Sequence, residues 1–206
     1  LFYFNILITC FCLLILINGS NFIDGLNGLL LIYMTTVLYV LLDTSLLSNT
    51  NLKLLLEIDR TYILFLVITL VVIIILNLMN SLMLGDAGAY VLSFFVGYII
   101  ILCHNSNPNI SPYFFITLLW YPCYENLFSI LRKLKNKFSP LVPDNNHLHQ
   151  LIFQRFSKVI KDKVIANNAC SILINIVNGI ILLLAARYPY ESIYQIKIIA
   201  ISIFLY

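Results

Sequence analysis

Two aspartates and two histidines stand apart in a chain that is otherwise almost hydrocarbon. Asp24 lies in NFIDGLNGLL, residues 21–30, with Gly25 and Gly28 beside it, and Asp86 opens GDAGAY, residues 85–90, between Gly85 and Gly88. Glycines at these points permit positive φ and close backbone approach, and each aspartate sits where a helix is expected to begin, so the neighbouring N–H groups favour anions. Two single carboxylates supply hard oxygen ligands of the kind Mg²⁺ accepts when it keeps its waters and bridges to phosphate oxygens. The same residues also suit capped turns, with Asp24 or Asn27 as the N-cap of the helix that follows. The histidines, His147 and His149, fall in FSPLVPDNNHLHQLIFQRF, residues 138–156, where Pro140 and Pro143 constrain the approach. Positions two apart point about 200° from each other on a helix, so at most one faces a given site, whereas an extended stretch could present both. With Arg132, Lys133 and Arg155 nearby, the imidazoles make either a cationic surface suited to phosphate or an ordinary solvated face.

These residues are set in a chain that is 61% hydrophobic and 10% charged over 206 residues, with a mean hydropathy of +0.96. An aspartate at the centre of a membrane helix costs about 2.5 to 3.5 kcal/mol even on lenient insertion scales, so such acids belong at a membrane edge or in a site. Apolar runs of membrane-crossing length are expected at about 1–17, 25–42, 61–79, 87–104, 112–131, 164–186 and 193–206, which predicts an all-α, polytopic membrane protein of about seven helices, the first and last incomplete. No period-2 alternation with regular turns occurs, which disfavours a membrane β-barrel. The whole chain, 1–206, is read as one multi-pass domain. Cys10, Cys12, Cys103, Cys123 and Cys170 sit in apolar segments without zinc or redox spacing and read as small packing residues.

Between Arg132 and Lys163 the chain carries eight lysines and arginines against Asp144 and Asp162, a net +6 that is twice the charge of the whole chain. The connections expected on the other side hold only Lys53, Arg60 and Arg187. The positive-inside rule therefore assigns the 132–163 loop to the cytoplasm. Counting spans backwards puts residues 81–90 and the Asp24 turn on the same face. Within the apolar runs Glu125 is expected to interact with Arg132, two turns on, near the interface; Asn77 and Asn80 are read as interfacial polar residues in preference to site donors, and His104, at the opposite end of its helix, has no assigned role.

Taken together, NFIDGLNGLL, GDAGAY, and YPCYENLFSILRKLK followed by SPLVPDNNHLHQLI between 121 and 152 resemble the polyprenyl-phosphate N-acetylhexosamine-1-phosphate transferases, glycosyltransferase family 4. That family includes the bacterial enzymes that load phospho-MurNAc-pentapeptide or phospho-GlcNAc onto undecaprenyl phosphate, and the eukaryotic dolichol enzyme. The resemblance covers most of the chain and fades after about residue 160. It implies transfer of a sugar-1-phosphate from a UDP-sugar to a polyprenyl phosphate, with release of UMP, for cell-wall or surface-polysaccharide synthesis. The implied place is the cytoplasmic face of a bacterial inner membrane. It further implies that Asp86 binds Mg²⁺, with Mn²⁺ as the substitute. Asp24 with Asn21 and Asn27 would meet the nucleotide sugar, His147 and His149 would lie near the substrate diphosphate, and Arg132 and Lys133 would be basic neighbours of that loop. Asn27 stands where many members have a second aspartate, and Gln150 where the motif often continues with another histidine. Family members also carry an adjacent aspartate pair in an earlier cytoplasmic loop. No adjacent acids occur in 1–206, and the chain opens on Leu1 inside an apolar run. The expectation is thus a C-terminal part of a longer transferase, inactive by itself, with the pair upstream.

The rival from another class is a transporter, which would place its polar residues near the bilayer midplane in broken helices and often show a repeat. Here they cluster toward one edge. An aromatic-acceptor prenyltransferase would carry aspartate-rich DDxxD motifs, which are missing from this sequence. The partners expected are a UDP-sugar, undecaprenyl phosphate and the lipid bilayer, with a homodimer compatible and no nucleic acid.

Overall fold

The computed structural model describes residues 2–43, 60–135, 137 and 146–206. Lys53 and the stretch 138–145, with Pro140, Pro143 and Asp144, lie outside the described residues. The described chain is all helical: α1 Phe2–Ile23, α2 Leu29–Asp43, α3 Arg60–Leu78, α4 Gly85–Ser106, α5 Pro112–Leu118, α6 Trp120–Lys135, α7 Leu148–Val159, α8 Lys163–Ala186 and α9 Ser192–Leu205.

Three helices, Tyr3–Ile23, Gly85–Ser106 and Lys163–Ala186, are long and apolar enough to cross a membrane, and Leu29–Leu42, Leu64–Leu78 and Ser192–Leu205 are shorter apolar helices. The run 112–131, expected as one span, is broken at Leu119 into α5 and α6. Pro122 accounts for the break. It has no N–H to give the carbonyl four residues back, that of Leu118, and its ring crowds that turn. The Leu118 carbonyl instead accepts from the hydroxyl of Tyr33 on α2 at 2.9 Å, and the same hydroxyl accepts from the Tyr121 N–H at 3.4 Å. A break that would leave orphan backbone groups is thereby satisfied by one buried tyrosine.

Helix α2 is the centre of the packing, against α3, α4 and α8, while α1 lies on α4 and α6, and α9 joins α5 and α8. Leu29, Leu30, Met34, Val37, Leu38 and Leu41 of α2 are fully buried. By contrast the outer faces of α1 and α3 expose Phe4, Leu7, Phe11, Phe65, Ile68 and Val72. A bundle that is apolar outside as well as inside suits a lipid surround. At one end Ser111 bonds to the Pro189 carbonyl and to Ser192, at 3.1 and 2.9 Å, tying the α4–α5 and α8–α9 connections together. The turns after α1 and before α4 lie at the other end.

Candidate functional site

The turn Asp24–Gly28 is where the separate motifs meet. Helix α1 runs on through Asn18–Asn21, which the sequence reading left in the connection, and stops at Ile23. Gly28 then takes φ +74, a left-handed conformation that glycine adopts without a side-chain penalty, and lets the chain enter α2. The backbone donors at this entry are taken by asparagines from other helices. Asn167 of α8 accepts from the Asn27 N–H at 2.8 Å, and Asn77 of α3 accepts from the Gly28 N–H. The expected cap by Asp24 or Asn27 is therefore replaced by side chains from α3 and α8, which leaves the Asp24 carboxylate out of that role. Asn77, read from the sequence as an interfacial polar residue in preference to a site donor, is buried and also donates to the Leu82 carbonyl at 2.7 Å. It staples the Asp24 turn to the loop that leads into Asp86.

Asp24, Asn27, Asn77, Asn80, Asp86 and Asn167 line one cleft of about 380 Å³, together with Gly25, Leu26, Met83, Leu84 and Gly85. Gly85, at φ +67, turns the chain into α4, so that Asp86 stands exposed in its first turn. Asn27 donates to Asn80 across the cleft at 3.5 Å, and Asn21 to the Tyr90 hydroxyl at 3.3 Å. Burial, and after it the negative charge of Asp86, push the Asp24 carboxyl up to about 7. Two carboxylates that repel each other across a polar cleft form a donor set that a hard divalent cation would relieve, and Mg²⁺ needs only one or two carboxylates when phosphates and waters complete its shell. Among the described residues no group of three or more His, Cys, Asp or Glu side chains is placed to hold a metal, so the fit is to an ion shared with a substrate and not to a closed protein cage.

The histidine segment reaches the same turn. His147 and His149 are both buried, and their rings lie nearly parallel with centroids 5.7 Å apart. His147 has extended backbone just before α7, and the chain is helical from Leu148 onward. That local geometry lets both rings sit on one side despite the two-residue spacing. His149 presses on Gly25 so closely that a Cβ there would lie 2.9 Å from its Nε2, and neither of its ring nitrogens has a hydrogen-bond partner. Burial pushes the His149 imidazole down to about 4, against the opposing pull of Glu125 and with the help of His147. His147 packs on Phe22, next to the turn, at 5.0 Å.

Glu125 is the residue the sequence reading missed. Expected to interact with Arg132, it reaches the histidine segment: its Oε2 is 2.8 Å from His147 Nδ1 and its Oε1 accepts from the Leu148 N–H at 3.1 Å. Gln150, where another histidine was the family pattern, accepts from the His147 N–H at 3.3 Å. Arg132 and Lys133 do not line the cleft; both are half-exposed on α6, and the Arg132 guanidinium lies 5.3 Å from the centre of the Phe128 ring. A second, apolar cavity of about 210 Å³ borders the histidine segment at Leu148 and is lined by Ile152, Trp120, Ile174, Ile181 and Tyr206 among others.

The chain is 27% identical over 160 residues to the undecaprenyl-phosphate alpha-N-acetylglucosaminyl 1-phosphate transferase of Yersinia pestis, an alignment covering 73% of this chain and 41% of that protein. The chain thus spans less than half the length of that relative. No protein-family model matches it, and no solved structure does.

Proposed function

We propose that the protein transfers an N-acetylhexosamine-1-phosphate from a UDP-sugar to a polyprenyl phosphate at the cytoplasmic membrane face, releasing UMP. The observation that carries this reading is the meeting of Asp24, Asp86 and the His147–His149 segment around one turn. The likeness to the Yersinia pestis transferase supports it. Asp86, with Asp24 opposite, would hold Mg²⁺ or Mn²⁺. The ion supplies charge that offsets repulsion between the two phosphates brought together. Asn21, Asn27 and Asp24 would contact the nucleotide sugar. His149 packs on Gly25 of the polar cleft and Leu148 lines the apolar cavity, so an acceptor's phosphate and its hydrocarbon chain would part company at this segment. Arg132 and Lys133 would draw phosphates toward the site from the basic loop instead of touching the reacting atoms. The protein's contribution is then mainly positioning and fixed charge, as phosphoryl-transfer chemistry requires.

Such a reaction must sit at a membrane edge, because the acceptor is tethered in lipid while the donor is dissolved in water. The test is UMP release from a panel of UDP-N-acetylhexosamines by a full-length form of the protein reconstituted with undecaprenyl phosphate. Release with at least one sugar, abolished by chelation of divalent ions, is the expected result. No release with any member of the panel would overturn the reading.

A further inference from the structure

Glu125 sits nearly three turns before the C-terminal end of α6 in a site only 1% exposed. A buried carboxylate is costly unless its oxygens are used. Both are used, and on the same short segment. Oε2 faces His147 Nδ1 at 2.8 Å, and Oε1 takes the Leu148 N–H at 3.1 Å while standing 3.9 Å from His149 Nδ1. The His147 backbone N–H is held in turn by Gln150, and its ring is packed between Phe22 and His149. The imidazole is consequently fixed in position by packing and in orientation by one carboxylate.

We infer that Glu125 is a positioning residue, setting His147 with its proton on Nδ1 and its Nε2 as the lone-pair nitrogen. An ionised carboxylate only accepts hydrogen bonds, so the ring nitrogen facing it must carry hydrogen, and in a neutral ring the other nitrogen then cannot. A glutamine in the same place would accept from Leu148 through its oxygen and offer an N–H to His147, which reverses the assignment. The consequence for turnover rests on the transferase reading above: a neutral Nε2 accepts a proton or hydrogen bond at the acceptor phosphate, and the buried charge of Glu125 steadies the imidazolium that results.

The experiment has two arms. Nitrogen-15 correlation spectra of the histidine-labelled chain in lipid nanodiscs, with His147 assigned by the signals lost in His147→Asn, read the tautomer directly. Nδ1–H is expected in the wild type and in Glu125→Asp, and Nε2–H in Glu125→Gln. An Nε2–H ring in the wild type overturns the inference whatever the enzyme does, and that spectrum stands even if the glutamine variant fails to fold. In the UMP-release assay Glu125→Gln should lose about 10- to 100-fold in kcat, with KM for the UDP-sugar moving by less than about twofold and partial recovery in Glu125→Asp. An unchanged kcat in a variant whose tautomer has flipped also overturns it. Should the wild type release no UMP, the transferase reading fails on its own, and the tautomer alone decides the role of Glu125.

Discussion

At the residue scale, Asp86 and His149 make opposite uses of their surroundings. Asp86 is exposed at the mouth of α4 and faces the half-buried Asp24. If the pair shares a divalent ion with two phosphates, Asp86→Asn should leave expression near normal and remove most turnover, since loss of a bridging charge costs several kcal/mol of transition-state stabilisation; retention of more than about half the activity at saturating Mg²⁺ would rule the role out. His149 is fully enclosed, and burial holds its imidazole neutral, with a value lowered from 6.5 to about 4. The direction of the pH effect follows. Between these values the unfolded chain binds a proton that the folded chain refuses, so stability falls as pH drops below about 6.5, by about 3 kcal/mol in all once pH passes 4. Selective labelling of the histidines should show His149 still neutral at pH 5.5. A ring that titrates near 6.5 would mean that it is not enclosed as described.

At the element scale, small residues decide how close the helices come. Gly19 on α1 faces the Pro122 carbonyl of α6 so tightly that a Cβ would lie 1.9 Å from the oxygen. Because the obstacle is backbone, no side chain can swing aside, and the helices would have to part. Gly19→Ala should therefore destabilise by about 1–3 kcal/mol, read as a lowered thermal midpoint in detergent. Gly179, in the middle of α8, has open space where its Cβ would be, so Gly179→Ala should be neutral or slightly stabilising. Equal effects of the two substitutions would show that helix propensity, not the α1–α6 contact, governs both. The break between α5 and α6 belongs to this scale too. Pro122 breaks the run that the sequence reading took as one span, and Tyr33, which satisfies the freed carbonyl, lies 85 residues away from Leu118.

On the scale of the whole molecule, the two ends of the bundle differ in kind. One gathers the Asp24 turn, the Asp86 loop and the histidine segment. The other holds the Ser111–Pro189–Ser192 contact between connections that carry no acid or base but Arg187 and Glu191. In a sealed membrane, single cysteines at Ser81 and Lys161 should react with an impermeant reagent from the cytoplasmic side, and those at Asn109 and Tyr190 from the opposite side. Protection of Ser81→Cys or Lys161→Cys from the cytoplasmic reagent would break the single-face arrangement.

Hydrophobic run lengths alone were enough for an all-helical, lipid-bound chain, because in lipid each helix must satisfy its own backbone and so announces itself as an uninterrupted apolar stretch. Glycine-flanked acids and paired histidines were legible for the same local reason, as polar groups where hydrocarbon was the rule. What the sequence left open was partnership. Asn77 and Asn167 hold the Asp24 turn from 49 and 140 residues away, and Glu125 reaches His147 across 22. No periodicity encodes such pairs, since they depend on which helix faces are pressed together, and Glu125 was accordingly matched to a residue on its own helix. The tertiary structure decided that the buried carboxylate serves the histidines, that asparagines from α3 and α8 replace a local cap, and that the histidine segment meets the Asp24 turn through His149 on Gly25 and the apolar cavity through Leu148.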